Sequence, residues 1–294
     1  MTIGVATMAS NGVIVCAADR MLTRGAAQTE PESPKIYHFN PGHPVTVMWA
    51  GSASVFAEVA QSYLARAKGA HPPHATVSDA VKSFCSCFAE YVGLRAEREI
   101  LTKIGLTRAD LVGSKVSYRR AGQLLGLVFG YELDVPDQVE TIFAGHDTAG
   151  SHIWRTFNAT PVCCDVEGFA AIGIGAEHAV SHLGFSGQTP NTDILAATVG
   201  AYFAKRRAET APGVGRVVDM ALRVPGREPI QLADNTPFVR ALETAYGAFA
   251  EAERANLKDA AMRATVEIQA ILPTPPAPPD TPAPEPPPMS SDGS

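Results

Sequence analysis

The apolar positions fall first into short runs, which predict strands. Residues 2–8 and 13–18 are two such runs, separated by Ala9-Ser10-Asn11-Gly12. Asn-Gly between apolar runs signals a hairpin, because both residues tolerate positive φ. The second run, Val13-Ile14-Val15-Cys16-Ala17-Ala18, lacks polar alternation, which predicts a strand buried on both faces. Residues 35–39 and 45–50 form a second pair, joined by Asn40-Pro41-Gly42-His43-Pro44. The period then lengthens. Val55, Phe56, Val59, Tyr63 and Leu64 make one stripe and predict a helix over 53–67. Asp79 is the expected cap of a helix through Phe84, Phe88, Val92 and Ala96. Residues 106–123 read as partly loop.

A second β block follows, with strands expected at 124–131, 138–145, 151–156 and 166–173. Helices are expected at 176–185 and 193–208, a strand at 216–224 and a last helix at 237–271. Strand runs alternating with pairs of helices predict a layered α+β fold with helices segregated onto sheet faces. They do not fit the single βαβ alternation of a nucleotide-binding fold. After Leu272 the composition changes: residues 273–288 hold ten of the chain's 23 prolines. A segment so poor in large apolar residues is expected to be an extended, disordered Pro-rich tail. The expected organisation is one domain over 1–235, a helical extension over 236–272 and a tail over 273–294.

Composition and charge narrow the function. The 294 residues are 46 % hydrophobic and 18 % charged, enough for a sizeable core without disulfides. The net charge of −6, with Lys205-Arg206-Arg207 as the tightest basic cluster, argues against nucleic acid. No membrane-spanning run and no signal peptide is apparent, which predicts a cytoplasmic protein. The five cysteines (Cys16, Cys85, Cys87, Cys163 and Cys164) lack zinc spacing and are expected to be reduced and buried. His178 and His182 stand four apart on an expected helix, but they are read as ordinary histidines, so neither a metal nor a cofactor is expected. Gly173-Ile174-Gly175 lacks the third glycine of a dinucleotide fingerprint.

The candidate chemistry lies near the N-terminus. Removal of Met1 would leave Thr2 first, with a hydroxyl nucleophile and an α-amine on one residue. Such an amine titrates near ~7.7–8.0 and can serve as general base at neutral pH. Asp19 ends the second strand, Lys35 starts the third and Gly51 ends the fourth. A Lys held by an Asp near the nucleophile favours the neutral amine and the alkoxide. A glycine amide at a strand-to-helix turn can donate to an oxyanion.

These segments resemble the proteasome-type N-terminal-nucleophile (Ntn) hydrolases, among them the bacterial proteasome β-type subunits. The resembling residues are Thr2-Ile3-Gly4-Val5, Gly12 through Arg20, Pro34-Lys35-Ile36 and Ala50-Gly51-Ser52. Ile142 through Asp147 with Gly150 through Trp154 is similar to the family's mid-chain hairpin. Ala171 through Ala176 is similar to its glycine-rich turn, and Val217 through Ala221 to its late strand. The similarity spans roughly residues 2–230. It implies a four-layer αββα sandwich, assembly into a homo-oligomeric ring, and hydrolysis of a peptide or amide through an acyl-enzyme on Thr2. Asp19 would orient Lys35, Lys35 would tune Thr2, and Gly51 would supply the oxyanion donor. An ATPase partner is left open. Family spacing between Thr2 and Asp19 calls for a one-residue bulge in the first hairpin. Ile174 stands where the family has serine, and Glu209 or Thr210 near the family's later aspartate and serine. A non-catalytic scaffold or binding subunit, or a small-amide amidohydrolase, is the alternative expectation.

Overall fold

The period of two along the first strands decides how the layers form. In the computed structural model, β1 (Ile3–Met8) and β2 (Ile14–Ala18) pair antiparallel in unbroken register from Gly4↔Ala18 to Met8↔Ile14. The structure describes residues 3–24, 27–29, 35–39, 45–69, 75–113, 115–135 and 137–271. Asn11 and Gly12 take positive φ at the hairpin tip, as their sequence predicts. The register holds no bulge, contrary to the expected extra residue, because two continuous apolar runs leave no unpaired position to absorb one.

β2 is buried throughout because it uses both faces. Ile14, Cys16 and Ala18 point one way, while Val13, Val15 and Ala17 point the other. The remaining strands are β3 (Leu22–Arg24), β4 (Ala27–Thr29), β5 (Ile36–Phe39), β6 (Val45–Gly51), β7 (Val139–Asp147), β8 (Gly150–Phe157), β9 (Thr160–Cys163), β10 (Phe169–Gly173), β11 (Asp219–Arg223) and β12 (Ile230–Leu232). One five-stranded sheet has the order β10-β1-β2-β11-β12 and the other the order β5-β6-β7-β8-β9, both antiparallel; β3 and β4 form a separate pair. Between the five-stranded sheets, Ala6, Met8, Ile14, Cys16 and Ile172 meet Ile36, Met48, Ile142, Ala144 and Ile153.

Helices α1 (Ala53–Gly69) and α2 (Val77–Ala96) cover the far side of β6 and β7 through Phe56, Tyr63, Phe84 and Phe88 against Val47, Trp49 and Phe143. Burial of each such large side chain contributes about 1.5–3 kcal/mol. Helices α5 (Ala176–Phe185) and α6 (Ile194–Ala208) cover the far side of β1 and β2. Thr76, not Asp79, caps α2: Thr76 has extended φ and ψ, and its Oγ1 accepts from the Asp79 amide at 3.1 Å.

The stretch 124–131 is not a strand. It lies inside α4 (Tyr118–Leu133), which follows the short α3 (Arg108–Val112). Ala121 and Val128 are buried seven apart and Leu124, Leu125 and Tyr131 partly buried, a helical period that a short apolar run conceals. Gly122, Gly126 and Gly130 conceal it further, since each costs about 1 kcal/mol against Ala in a helix.

The chain divides into two compact units after Tyr246. In the first, the opening turns of α7 (Pro237–Ile271) bury Val239 and Leu242, and Tyr246 packs edge-on against Phe203 at 5.2 Å. In the second, the helix continues to Ile271, and its residues from Glu251 to Thr265 are exposed. The expected tail over 273–294 lies outside the described residues. No helix among them is long and apolar enough to cross a membrane. The cysteines are free, but Cys163 is exposed and Cys164 half-buried, because Cys163 ends the edge strand β9, whose four residues are all exposed, and Cys164 follows it.

His152 ties the second sheet to α2. Its Nδ1 lies 2.6 Å from Asp165, its Nε2 lies 2.9 Å from Asp147, and Asp147 accepts the Val77 amide that opens α2 at 3.0 Å. Burial disfavours the charged ring, but the two carboxylates outweigh it and raise the pKa above the ordinary 6.5. The ring therefore stabilises the fold fully below its unfolded value, and the contribution fades as pH rises through the raised folded value. Urea unfolding should show His152→Gln costing more at about pH 5.5 than at about pH 8.5. An equal cost at both would contradict the paired imidazolium.

Candidate active site

Asp19 is the first residue beyond β2, level with Ile3 across the hairpin, and its amide donates to the Ile3 carbonyl at 3.2 Å. Its carboxylate is fully buried. Oδ1 accepts from the Ile3 amide at 3.3 Å and from Lys35 Nζ at 3.2 Å; Oδ2 accepts from the Gly215 amide at 2.7 Å. Lys35, just before β5, is buried too, donates also to the Met21 carbonyl, and lies 5.6 Å from the ring centroid of Trp49. One carboxylate oxygen thus joins an ammonium to the backbone amide of residue 3. Thr2, which precedes it, lies outside the described residues.

Gly51 closes β6 opposite Val139 with φ +103°, a conformation that favours glycine. A Cβ there would stand 2.1 Å from the Gln138 carbonyl, which accepts the Ser52 amide at 3.1 Å and fixes the turn into α1. Gly51→Ala is expected to cost about 1–3 kcal/mol, read as a lowered thermal midpoint. An unchanged midpoint would mean that the turn tolerates a side chain.

The structure brings Asp19 and Lys35 into contact and adds residues that sequence reasoning missed. Lys205 is not part of a surface cluster. It is fully buried on α6 and donates to Glu209 at 2.6 Å and to the carbonyls of Gly215 and Arg216 at 2.7 and 3.0 Å. Burial pulls its pKa below the usual lysine value, against the attraction of Glu209 and Asp19. It pins the loop that delivers the Gly215 amide to Asp19. Position 205 in the pattern of α6 was the available signal, since Ala197, Ala201, Ala204 and Ala208 surround it on the buried face.

Glu140 is the second addition. It shares the inward parity of Ile142 and Ala144 on β7, stands opposite Ala50, and accepts the Gly173 amide at 3.3 Å. A carboxylate at a core-facing position of an alternating strand was its sequence signal. Gly173 pairs with Ile3 across β1 and β10. Ile174 is 46 % exposed and offers no polar atom in its side chain. Glu209 is engaged by Lys205 and by Arg206 at 3.1 Å, and the Thr210 hydroxyl donates to Arg207 at 2.9 Å. Arg20 and Asp219 close this end of the sheet with a bidentate pair at 2.5 and 2.7 Å.

A cavity of about 710 Å³ opens beside this cluster, lined by Tyr37, Phe39, Trp49, Phe56, Ala60 and Leu64. Trp49 forms its shared wall with Lys35 and stacks on Phe56 at 4.9 Å. The cavity suits an apolar side chain. Among the described residues, no group of three or more His, Cys, Asp and Glu is gathered as a metal site requires. His182 packs its ring 6.2 Å from Phe203.

No protein-family model matches the chain, and no curated protein does. Solved structures do. An Anbu (Gly-1) mutant from Hyphomicrobium sp. strain MC1 superposes with TM-score 0.61 at 13 % identity, over 88 % of this chain and 97 % of that one. Anbu from Yersinia bercovieri, described as an ancestral beta-subunit, gives 0.59 at 13 %, over 93 % and 99 %. The Anbu complex from Pseudomonas aeruginosa, described as a helical assembly, gives 0.59 at 16 %, over 94 % and 99 %. The chain shares the fold of these Anbu proteins.

Proposed function

We propose that this chain is a threonine-type, proteasome-like Ntn hydrolase that cleaves peptide bonds through an acyl-enzyme on Thr2. One observation carries the reading: the buried Asp19–Lys35 pair, bonded to the amide of Ile3, puts a positive charge beside the backbone that follows Thr2. Helices on the outer faces of two facing sheets support a four-layer αββα sandwich over 1–235, followed by a helical extension and a proline tail.

The chemistry starts with removal of Met1. The side-chain alternation of β1 sends Gly4 and Ala6 toward the other sheet. The free α-amine takes the proton from Thr2 Oγ1, and Oγ1 attacks the substrate carbonyl carbon. Lys35, oriented by Asp19, lowers the energy of the alkoxide, and the Gly51 amide donates to the oxyanion. Collapse transfers the proton to the leaving amine and leaves an ester on Thr2. Water, deprotonated by the same amine, releases the acid. The cavity walled by Trp49 would hold an apolar side chain of the peptide. Self-association of copies, as in the P. aeruginosa assembly, and a cytoplasmic location belong to the same reading.

The non-catalytic scaffold is the second reading. Ile3 stands level with Asp19 in a ladder without a bulge, and Ile174 offers no partner to an amine. Fluorogenic peptides with apolar residues before the scissile bond separate the two. Turnover by the Met-free chain that disappears in Thr2→Ala supports the hydrolase; equal background in both supports the scaffold.

A further inference from the structure

The outer face of α4 is built for a second copy of itself. We propose that two copies of this chain pack through α4, antiparallel, about a two-fold axis at Gly126. The inference does not depend on hydrolysis by Thr2.

Three features of α4 lie on its solvent side. Tyr118 is 97 % exposed, Leu133 89 % and Phe129 53 %, and they share one strip with Gly122 and Gly126 at spacings of four and three. A Cβ on Gly122, Gly126 or Gly130 would meet nothing within 4 Å, so packing within this chain does not require any of them. Absent side chains let a second helix approach closer than the usual ~8–10 Å.

The charges identify the occupant. Arg119 and Arg120 sit in the first turn, where the helix dipole disfavours cations, and Asp134 caps the last turn, where it disfavours anions. All three are exposed and make no ion pair among the described residues. An antiparallel copy resolves both conflicts, because its Asp134 and helix C-terminus lie beside Arg119 and Arg120. The glycines obey the same symmetry. With Gly126 on the axis, Gly122 of one copy faces Gly130 of the second. A parallel copy would stack arginine on arginine, and an unrelated helix need not match this spacing.

Disulfide trapping reads the register directly. In a Cys163→Ser, Cys164→Ser background, oxidation of Gly126→Cys should give a covalent dimer, since residues on the axis come within disulfide reach. Gly122→Cys alone and Gly130→Cys alone should give at least ~10-fold less dimer, whereas their equal mixture cross-links. Gly126→Arg, at an open position that leaves the fold intact, should halve the native mass in sedimentation. The proposal is overturned if Gly126→Cys cross-links no more than Gly122→Cys, or if Gly126→Arg keeps the wild-type mass. Flotation of the uncross-linked wild type with anionic phospholipid vesicles would assign the face to a lipid surface and overturn it as well.

Discussion

Incubation of the Met-free chain with a peptide epoxyketone should add a single inhibitor mass to Thr2. That electrophile closes a ring only with a hydroxyl and a free amine on the same residue, so it reports the proposed machinery rather than general nucleophilicity. Thr2→Ala removes the hydroxyl and should abolish the adduct. Lys35→Ala keeps the hydroxyl but removes the ammonium that the structure seats on Asp19, and should slow adduct formation by about 10²-fold or more. Intact mass measured over time checks both. An adduct that survives in Thr2→Ala would exclude Thr2 as nucleophile, and no adduct on the wild type would move the reading to the scaffold.

The second large effect is on stability. Asp19→Ala strips a fully buried carboxylate from the amides of Ile3 and Gly215 and leaves the Lys35 ammonium buried without it. Breaking a buried pair from one side costs about 3–5 kcal/mol. Urea unfolding should show that loss, and Asp19→Ala with Lys35→Met should cost less than the two single changes summed, since the stranded charge is gone. A loss under about 1 kcal/mol for Asp19→Ala would mean that the carboxylate holds neither strand nor loop.

The continuous apolar run of Val13–Ala18 revealed a strand buried on both faces, and it forms the central strand of the first sheet, between β1 and β11. The separations of Asp19 and Lys35 from their strand ends were likewise readable, and folding joins them because each ends or begins a strand at the same end of the facing sheets. The run around Leu124–Phe129 reads as a strand because glycines at every fourth position suppress the helical signal where little of the helix is buried. Lys205 reads as one member of a basic cluster because its neighbours Arg206 and Arg207 are charged, while its burial depends on a loop carbonyl pair brought by Gly215 and Arg216. Glu140 carried a signal in its parity, but its partner, the Gly173 amide, comes from the other sheet. Such contacts depend on tertiary packing, which local periodicity does not encode.

The most direct test is the geometry at the N-terminus itself. A crystal structure of the Met-free, assembled chain should place Thr2 Oγ1 within hydrogen-bond reach of Lys35 Nζ, or one water away, with the Gly51 amide facing the same space. Lys35 directed only at Asp19 and Met21, or Met1 retained and packed over the pair, would contradict the account.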